Sequence, residues 1–220
     1  SKAELTFSGD LQRAEIATIA GWTAASKQVL ADHTALRAQI DRVIRHKVLS
    51  RLEHQLINGP GGSGRIEGLL QQGTPFVPSI ATTAADVIGE ALVSMANNGY
   101  QPNLVLLNPL DWFGIQLTKT DTEGEYIFGS PTMPVPPALW NTAIVRTPSV
   151  AAGTGLVLDT SFTTVLDREQ LVVTVSNSHA DFFTRNLVAI LGELRAGLEV
   201  LDEWAVFTFD VPEIPAESDQ

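Results

Sequence analysis

The sequence predicts an α+β fold, and three observations carry that prediction. Residues 32–56 place Leu36, Ile40, Val43, Ile44, Val48, Leu52 and Leu56 at spacings of three and four, the one-sided stripe of a long helix. From residue 143 onward the texture changes to short β-branched runs separated by turn residues. Helical and extended segments also follow one another without a strand-helix-strand rhythm, so α+β is the class.

In chain order, residues 3–21 read as extended. ELTF and AEIATIAGW are rich in β-branched and aromatic residues, and SGD between them is a turn signal, which gives an edge hairpin or half of a projecting one. A short helix is predicted around 25–30. The long helix follows, with Asp32 as N-cap and Asn58-Gly59-Pro60-Gly61 as its stop. Helices in globular domains average ~11–12 residues, so one of this length is suited to act as a spine for other layers. Residues 59–64 form a loop, and 65–82 an irregular, proline-interrupted stretch. Residues 83–97 make a second amphipathic helix with Thr83 as its cap. Residues 104–107 are a short apolar strand, and 109–117 a third helix with Pro109 near its first position. Residues 124–129 read as a strand bounded by glycines, and SPTMPVPP as a loop. AIVRT, GLVLD, FTTVLD and QLVVTVS read as four short strands, with turns at Pro148-Ser149 and Asp167-Arg168. Residues 182–201 fit a helix by periodicity, whereas AVFTF after them is strand-like. The tail VPEIPAESDQ is acidic and proline-rich.

The chain has 220 residues, 44% hydrophobic and 18% charged, enough to bury a sizeable core in one domain or two joined ones. No apolar run reaches the ~20 residues that span a bilayer, so no membrane partner is expected. The opening SKAELTFSGD lacks the basic start and apolar core of a signal peptide, and cytoplasmic synthesis is the default. With no cysteine, disulfides, thiolate metal sites and cysteine nucleophiles are excluded. A net charge of −11 argues against a dedicated nucleic-acid-binding protein. Against that acidity, five of the 14 Lys and Arg lie on the long helix: Arg37, Arg42, Arg45, Lys47 and Arg51.

The motifs that would carry chemistry are weak. Gly59-Pro60-Gly61-Gly62-Ser63-Gly64 fits GxGxxG, but it follows a helix, and no helix opens after it to meet a phosphate. The histidines are His33, His46, His54 and His179. His46 and His54 are eight apart on one helix, too far for one metal, and there is no HExxH. No GxSxG elbow is present. The residues alone therefore point to a structural or interaction protein without metal or cofactor.

Several ordered segments carry a resemblance: TIAGWTAASKQVLADHTALRAQIDRVI at 18–44, QLINGPGGSGRIEGLL at 55–70, LLNPLDW at 106–112, EGEYIFG at 123–129, LWNTAIVRT at 139–147 and DFFTRNLVAILGELRAGLEV at 181–200. Together they resemble the major capsid proteins of tailed bacteriophages, the Hong Kong ninety-seven shell fold. The resemblance implies a peripheral domain with the spine helix and a long sheet over 12–57 and 176–196. It implies an axial domain, a sheet flanked by helices, over 58–175 and 197–220. Residues 1–11 would be the returning half of a loop that overlaps a neighbouring subunit. Family chains begin with an arm and the outgoing half of that loop, so this chain is expected to be a cleaved, truncated or degenerate form. The resemblance also implies strand over 182–201, against the periodicity.

In some relatives a loop lysine attacks an asparagine of a neighbouring subunit, assisted by a buried glutamate, and an isopeptide bond forms with loss of ammonia. By resemblance, Lys2 matches the lysine, with two fewer residues before Thr6-Phe7 than the family pattern. Asn186 matches the asparagine and Glu193 the glutamate. A lysine must lose its proton to attack, and a carboxylate in an apolar surround can take it. Leu191 and Leu194 flank Glu193; Arg195 offers it an ion pair instead.

The function implied is a subunit of an icosahedral bacteriophage or prophage capsid, no enzyme, assembled in the bacterial cytoplasm and located in the virion. Its implied partners are itself (pentamers, hexamers and the shell), packaged double-stranded DNA, and portal, scaffold or protease proteins. Some of Arg37, Arg42, Arg45, Lys47 and Arg51 would face the lumen and meet phosphates without sequence preference, while others pair with Asp41, Glu53 or adjacent subunits. The alternatives are an encapsulin-like compartment enclosing an enzyme, which shares the fold, and an unrelated small-ligand-binding α+β domain.

Overall fold

The structure, a computed structural model, describes residues 14–28, 34–120, 125–130, 133–134 and 136–212. The expectations for residues 1–11, including Lys2, for Asp32 as helix cap, for His33 and for residues 213–220 of the tail lie outside the described residues.

The long helix is α1 (Thr34–Asn58), 25 residues. It lies across a three-stranded antiparallel sheet made of β1 (Ala17–Ser26), β9 (Thr163–Ser176) and β10 (Leu187–Val200), in the order β1-β10-β9. In β10, Val188, Ile190, Leu194, Ala196, Leu198 and Val200 are buried, and their even numbering puts them on one face. Ile44 and Val48 of α1 are buried with them in one cluster, with Ile40 and Leu52 packed at its margin. This is a row of every fourth residue. Val43, counted in the sequence stripe, is exposed because it stands about 100° round the helix from Ile44.

The helical periodicity of residues 182–201 is overruled by pairing. β10 is hydrogen-bonded along both edges, to β1 and to β9, and its burial alternates with period two. FTTVLD and QLVVTVS are one strand, β9. At the expected turn Asp167-Arg168 the ladder bulges instead: Ala196 pairs with Asp167 and Arg195 with Glu169, leaving Arg168 as the extra residue. Ala25 and Ser26 end β1, and only residues 27–28 are helical within the described part of the expected short helix.

The second sheet has six strands: β2 (Thr74–Pro75), β11 (Val206–Asp210), β8 (Thr154–Leu158), β3 (Leu104–Leu107), β7 (Thr142–Arg146) and β6 (Ala138–Leu139), in that spatial order. The β2–β11 and β3–β7 pairs are parallel and the others antiparallel. One face is covered by α3 (Ala84–Asn97) and α4 (Pro109–Gln116), whose Val87, Ile88, Met95, Trp112 and Ile115 are buried against Val105, Val157 and Phe207. The other face joins the first cluster through Leu106, Leu156, Leu158 and Val206, together with Ile57 and Leu69, the latter on α2 (Leu69–Gln72). The six-stranded sheet is thus the shared wall between two cores.

The predicted cap Thr83 is in place, its Oγ1 accepting from the Asp86 N–H at 3.3 Å, and Pro109 opens the third helix as expected, with Asn108 Oδ1 capping it by accepting from the Leu110 N–H at 2.9 Å. α1 stops because Gly59 turns inward: a Cβ there would lie 2.3 Å from the Ile66 carbonyl oxygen. Within the described part of the expected strand at 124–129, Tyr126 makes an isolated bridge to Lys119, residues 127–128 turn, and only Gly129 is in a strand. Part of the expected loop after it forms β5 (Met133–Pro134), paired with β4 (Gly129–Ser130).

Candidate functional site

Asn186 and Glu193 both belong to β10 or its entry, and the strand keeps them apart. Seven residues at about 3.3 Å each separate their Cα atoms by roughly 23 Å. Within one chain they do not meet. Asn186 stands at the turn into β10 with φ +54°, a left-handed conformation that asparagine tolerates. Its carbonyl accepts from the Lys27 N–H at 2.9 Å, tying this turn to the end of β1. Its side chain is exposed.

Glu193 sits in the middle strand, between Ala20 of β1 and Val172 of β9. Odd numbering in β10 points it to the sheet face opposite α1, and it is exposed there, so the carboxylate is not buried within a single subunit. Leu191 shares that face, as do Trp22 and Val172, both exposed; Leu194 points the other way into the core. Arg195 does not pair with Glu193. Its guanidinium reaches Glu169 across the strands at 3.3 Å. The open face around Glu193 thus mixes the apolar Leu191, Trp22 and Val172 with Glu193 itself and the neighbouring Arg195–Glu169 ion pair.

The far end of this face carries a ring cluster that sequence reasoning missed. Trp22 lies 5.3 Å from His179 and 6.5 Å from Phe182, and His179 meets Phe182 edge-on at 5.1 Å. The segment between β9 and β10 folds back over β1, which no spacing rule in the sequence announces.

The five cations of α1 are all exposed, but they form no single face. Arg42 and Arg51, nine residues apart, project about 180° from each other at 100° per residue. Arg45 bonds Asp41 at 2.8 Å one turn back and also reaches the Leu171 carbonyl at 3.5 Å. Glu53 is engaged elsewhere: the Thr147 hydroxyl donates to it. A cleft of about 320 Å³ between α1 and the sheet is lined by Lys27, Arg37 and Asp41 over Val173, Val175, Val188 and Ile190. Among the described residues no cluster of His, Asp and Glu suits a metal ion, and no helix is long and apolar enough to cross a membrane.

The profile of the phage capsid family matches residues 4–211. The chain belongs to the phage capsid family. The major capsid protein of Enterobacteria phage HK97 is 35% identical over 201 residues, covering 90% of this chain and 51% of that protein. The chain thus spans about half the length of the curated relative it matches. Among solved structures, Mycobacterium phage Bobi aligns with a TM-score of 0.71 at 17% identity, over 91% of this chain and 73% of that one. The capsid of a native GTA particle computed with C5 symmetry aligns at 0.71 and 15% identity, over 91% and 74%. Gordonia phage Cozz aligns at 0.74 and 11% identity, over 97% and 79%. These likenesses establish the α+β fold of phage capsid proteins for this family member.

Proposed function

We propose that this chain is a structural, non-enzymatic subunit of an icosahedral phage or prophage capsid, assembling with itself into pentamers, hexamers and a shell around double-stranded DNA. The observation that carries the reading is the family match over 4–211 together with 35% identity to a major capsid protein along 90% of this chain. In this reading α1 and the three-stranded sheet form the peripheral part, and the six-stranded sheet with α3 and α4 the axial part. Pairing of β9 with β10 over nearly their whole length favours keeping residues 163–176 with the periphery.

The exposure of Arg42, Lys47 and Arg51, with no ion pair among the described residues, supports contact with DNA or with adjacent subunits. Their spread round the helix means that only some of them face any one partner. Portal, scaffold or protease partners and assembly in the host cytoplasm follow from the same reading. Electron microscopy of purified protein tests it: closed shells or rings of five and six are expected, and monomers alone would sink it. Nucleic acid inside the shells distinguishes a virion from a compartment loaded with an enzyme.

A cross-link belongs to this reading as a second step. The Lys2 amine would attack the Asn186 side-chain amide carbon, forming an N–C bond and releasing ammonia, with Glu193 accepting the lysine proton. The roughly 23 Å between Asn186 and Glu193 in one chain favours a site assembled from different copies. Assembled particles on a denaturing gel should then show covalent ladders; a single monomer band from confirmed shells would exclude the reaction.

A further inference from the structure

The sequence contains two Asn-Gly pairs, Asn58-Gly59 at the end of α1 and Asn98-Gly99 at the end of α3. In such a pair the glycine nitrogen can attack the side-chain carbonyl carbon of the asparagine before it. Glycine favours this attack because no side chain hinders its nitrogen and its backbone turns freely. The reaction needs freedom at the junction, and the fold treats the two pairs oppositely. Asn58-Gly59 is locked. The Asn58 Nδ2 donates to the Ser149 carbonyl at 2.6 Å and to the His54 carbonyl at 3.3 Å, so the amide is held in place. Gly59 is buried; its N–H donates to the Gln55 carbonyl at 2.8 Å and its carbonyl accepts from the Gly68 N–H at 2.9 Å. Ile57, just before the pair, is buried in the core of the spine helix and its sheet.

Asn98-Gly99 is open. Both residues are exposed, and the Asn98 side chain makes no hydrogen bond among the described residues. The pair closes α3 in a Schellman turn: Gly99 has φ +95°, its N–H donates to the Ala96 carbonyl at 3.0 Å, and the Tyr100 N–H donates to the Met95 carbonyl at 3.3 Å. A Cβ at Gly99 would meet nothing within 4 Å, so the turn packs against nothing on that side. Asn98 has ψ 0°, which swings the Gly99 nitrogen away from the Asn98 Cβ, and the last turn must open before attack. That opening frays an exposed helix end, the least costly kind of local unfolding. Opening at Asn58 would part the spine helix from its packed neighbours, at a cost nearer that of global unfolding.

We infer that Asn98 is a self-modifying position that deamidates in the folded chain, whereas Asn58 is protected by the fold. A bond forms between the Gly99 nitrogen and the Asn98 Cγ as the Cγ–Nδ2 bond breaks, and Nδ2 leaves as ammonia, taking up the proton lost from the Gly99 nitrogen. The resulting succinimide ring takes up one water at either of its carbonyls. The products are aspartate, or isoaspartate with the main chain routed through Cβ and Cγ. Water is the one co-reactant. Each event places a negative charge at the C-terminal end of α3, where the helix dipole disfavours it. Isoaspartate also lengthens the backbone just before Tyr100, which is anchored to Asp202 at 2.6 Å. The change runs within a single chain and does not depend on the shell reading.

The test is peptide mapping of the purified, unsubstituted chain. Samples are held for weeks at mildly alkaline pH, one set folded and one in concentrated urea, then digested under acidic conditions. Mass spectrometry with electron-transfer fragmentation counts amide, aspartate and isoaspartate at both positions. In the folded chain Asn98 is expected to lose its amide about tenfold faster than Asn58, or more, because the difference in opening cost sets the ratio. In urea the two rates should converge. Equal rates at Asn58 and Asn98 in the folded chain would overturn the inference. So would an intact Asn98 in the folded chain while both convert in urea, and so would intact amides at both positions even in urea.

Discussion

Gly192 of β10 lies directly under Ile44 of α1: a Cβ at 192 would stand 2.5 Å from the Ile44 Cγ2 atom. Gly21, the register partner of Gly192 on β1, faces Val48 at a relaxed 3.6 Å. The glycine pair therefore sets how closely the spine helix approaches its sheet. Gly192→Val is expected to destabilise the chain by about 1–3 kcal/mol through overpacking, and Gly21→Ala much less. Urea denaturation of the two variants checks the contrast; equal effects would contradict this account.

Thr147, buried at the end of β7, donates its hydroxyl to Glu53 of α1 and accepts from the Ser149 N–H at 3.0 Å. Asn58 Nδ2, near the end of α1, adds a 2.6 Å bond to the Ser149 carbonyl. These side chains fasten the spine helix to the six-stranded sheet. Because Glu53 is exposed and rehydrates when released, Thr147→Val should cost only about 1 kcal/mol. A double-mutant cycle with Glu53→Ala, which removes the acceptor, should return a coupling of about that size, and additivity would argue against the link.

Glu90 is held down to a pKa of about 2, against an ordinary 4.5, first by the Ser79 hydroxyl and then by the backbone N–H groups of residues 79–81. A depressed carboxylate stabilises the fold at pH above 4.5, and that contribution is lost as pH falls from there through about 2. Backbone amides of residues 79–81 should lose protection from hydrogen exchange in that window. Glu90→Gln should show the faster exchange already at neutral pH.

Tyr100 donates its hydroxyl to Asp202 at 2.6 Å, and this bond, with burial and the negative charges of Asp202 and Asp159, pushes its pKa up to about 12 from 10. Here the protonated form is favoured. The stabilisation is complete below pH 10 and disappears as pH rises through about 12. An ultraviolet titration should show a late-ionising tyrosine that Tyr100→Phe removes. Asp159 beneath it behaves oppositely. Burial raises its carboxyl, but N–H groups of Gln101 and Ser161 and the Ser161 side chain outweigh that and leave it lowered.

The local signals in the sequence were those with a physical mechanism close at hand. The fourfold row on α1, the cap at Thr83, the helix opening at Pro109 and the glycine stop at Gly59 are decided by neighbours within a few residues, and they stand where the sequence places them. The Asp167-Arg168 turn signal marked a real irregularity but the wrong one, because a bulge and a turn use the same residues and only pairing to Arg195 and Ala196 distinguishes them. Residues 182–201 were ambiguous by periodicity. They are strand because β1 and β9 hydrogen-bond both edges of β10, partners that lie more than a hundred residues and about ten residues away.

For the candidate site, the sequence supplied residue types but not distances. Asn186 and Glu193 look adjacent in a motif, and strand extension makes them strangers within one chain. Likewise five cations on one helix suggest a basic face, and the 100° step disperses them. The sequence by itself determined the class, the spine helix and the family, since helix periodicity, capping and colinear motifs are written in short range. The tertiary structure alone decided which face of β10 Glu193 shares with Trp22, and that Asn58 is locked onto Ser149 while Asn98 is left open. Those relationships join residues brought together only by sheet pairing and helix packing.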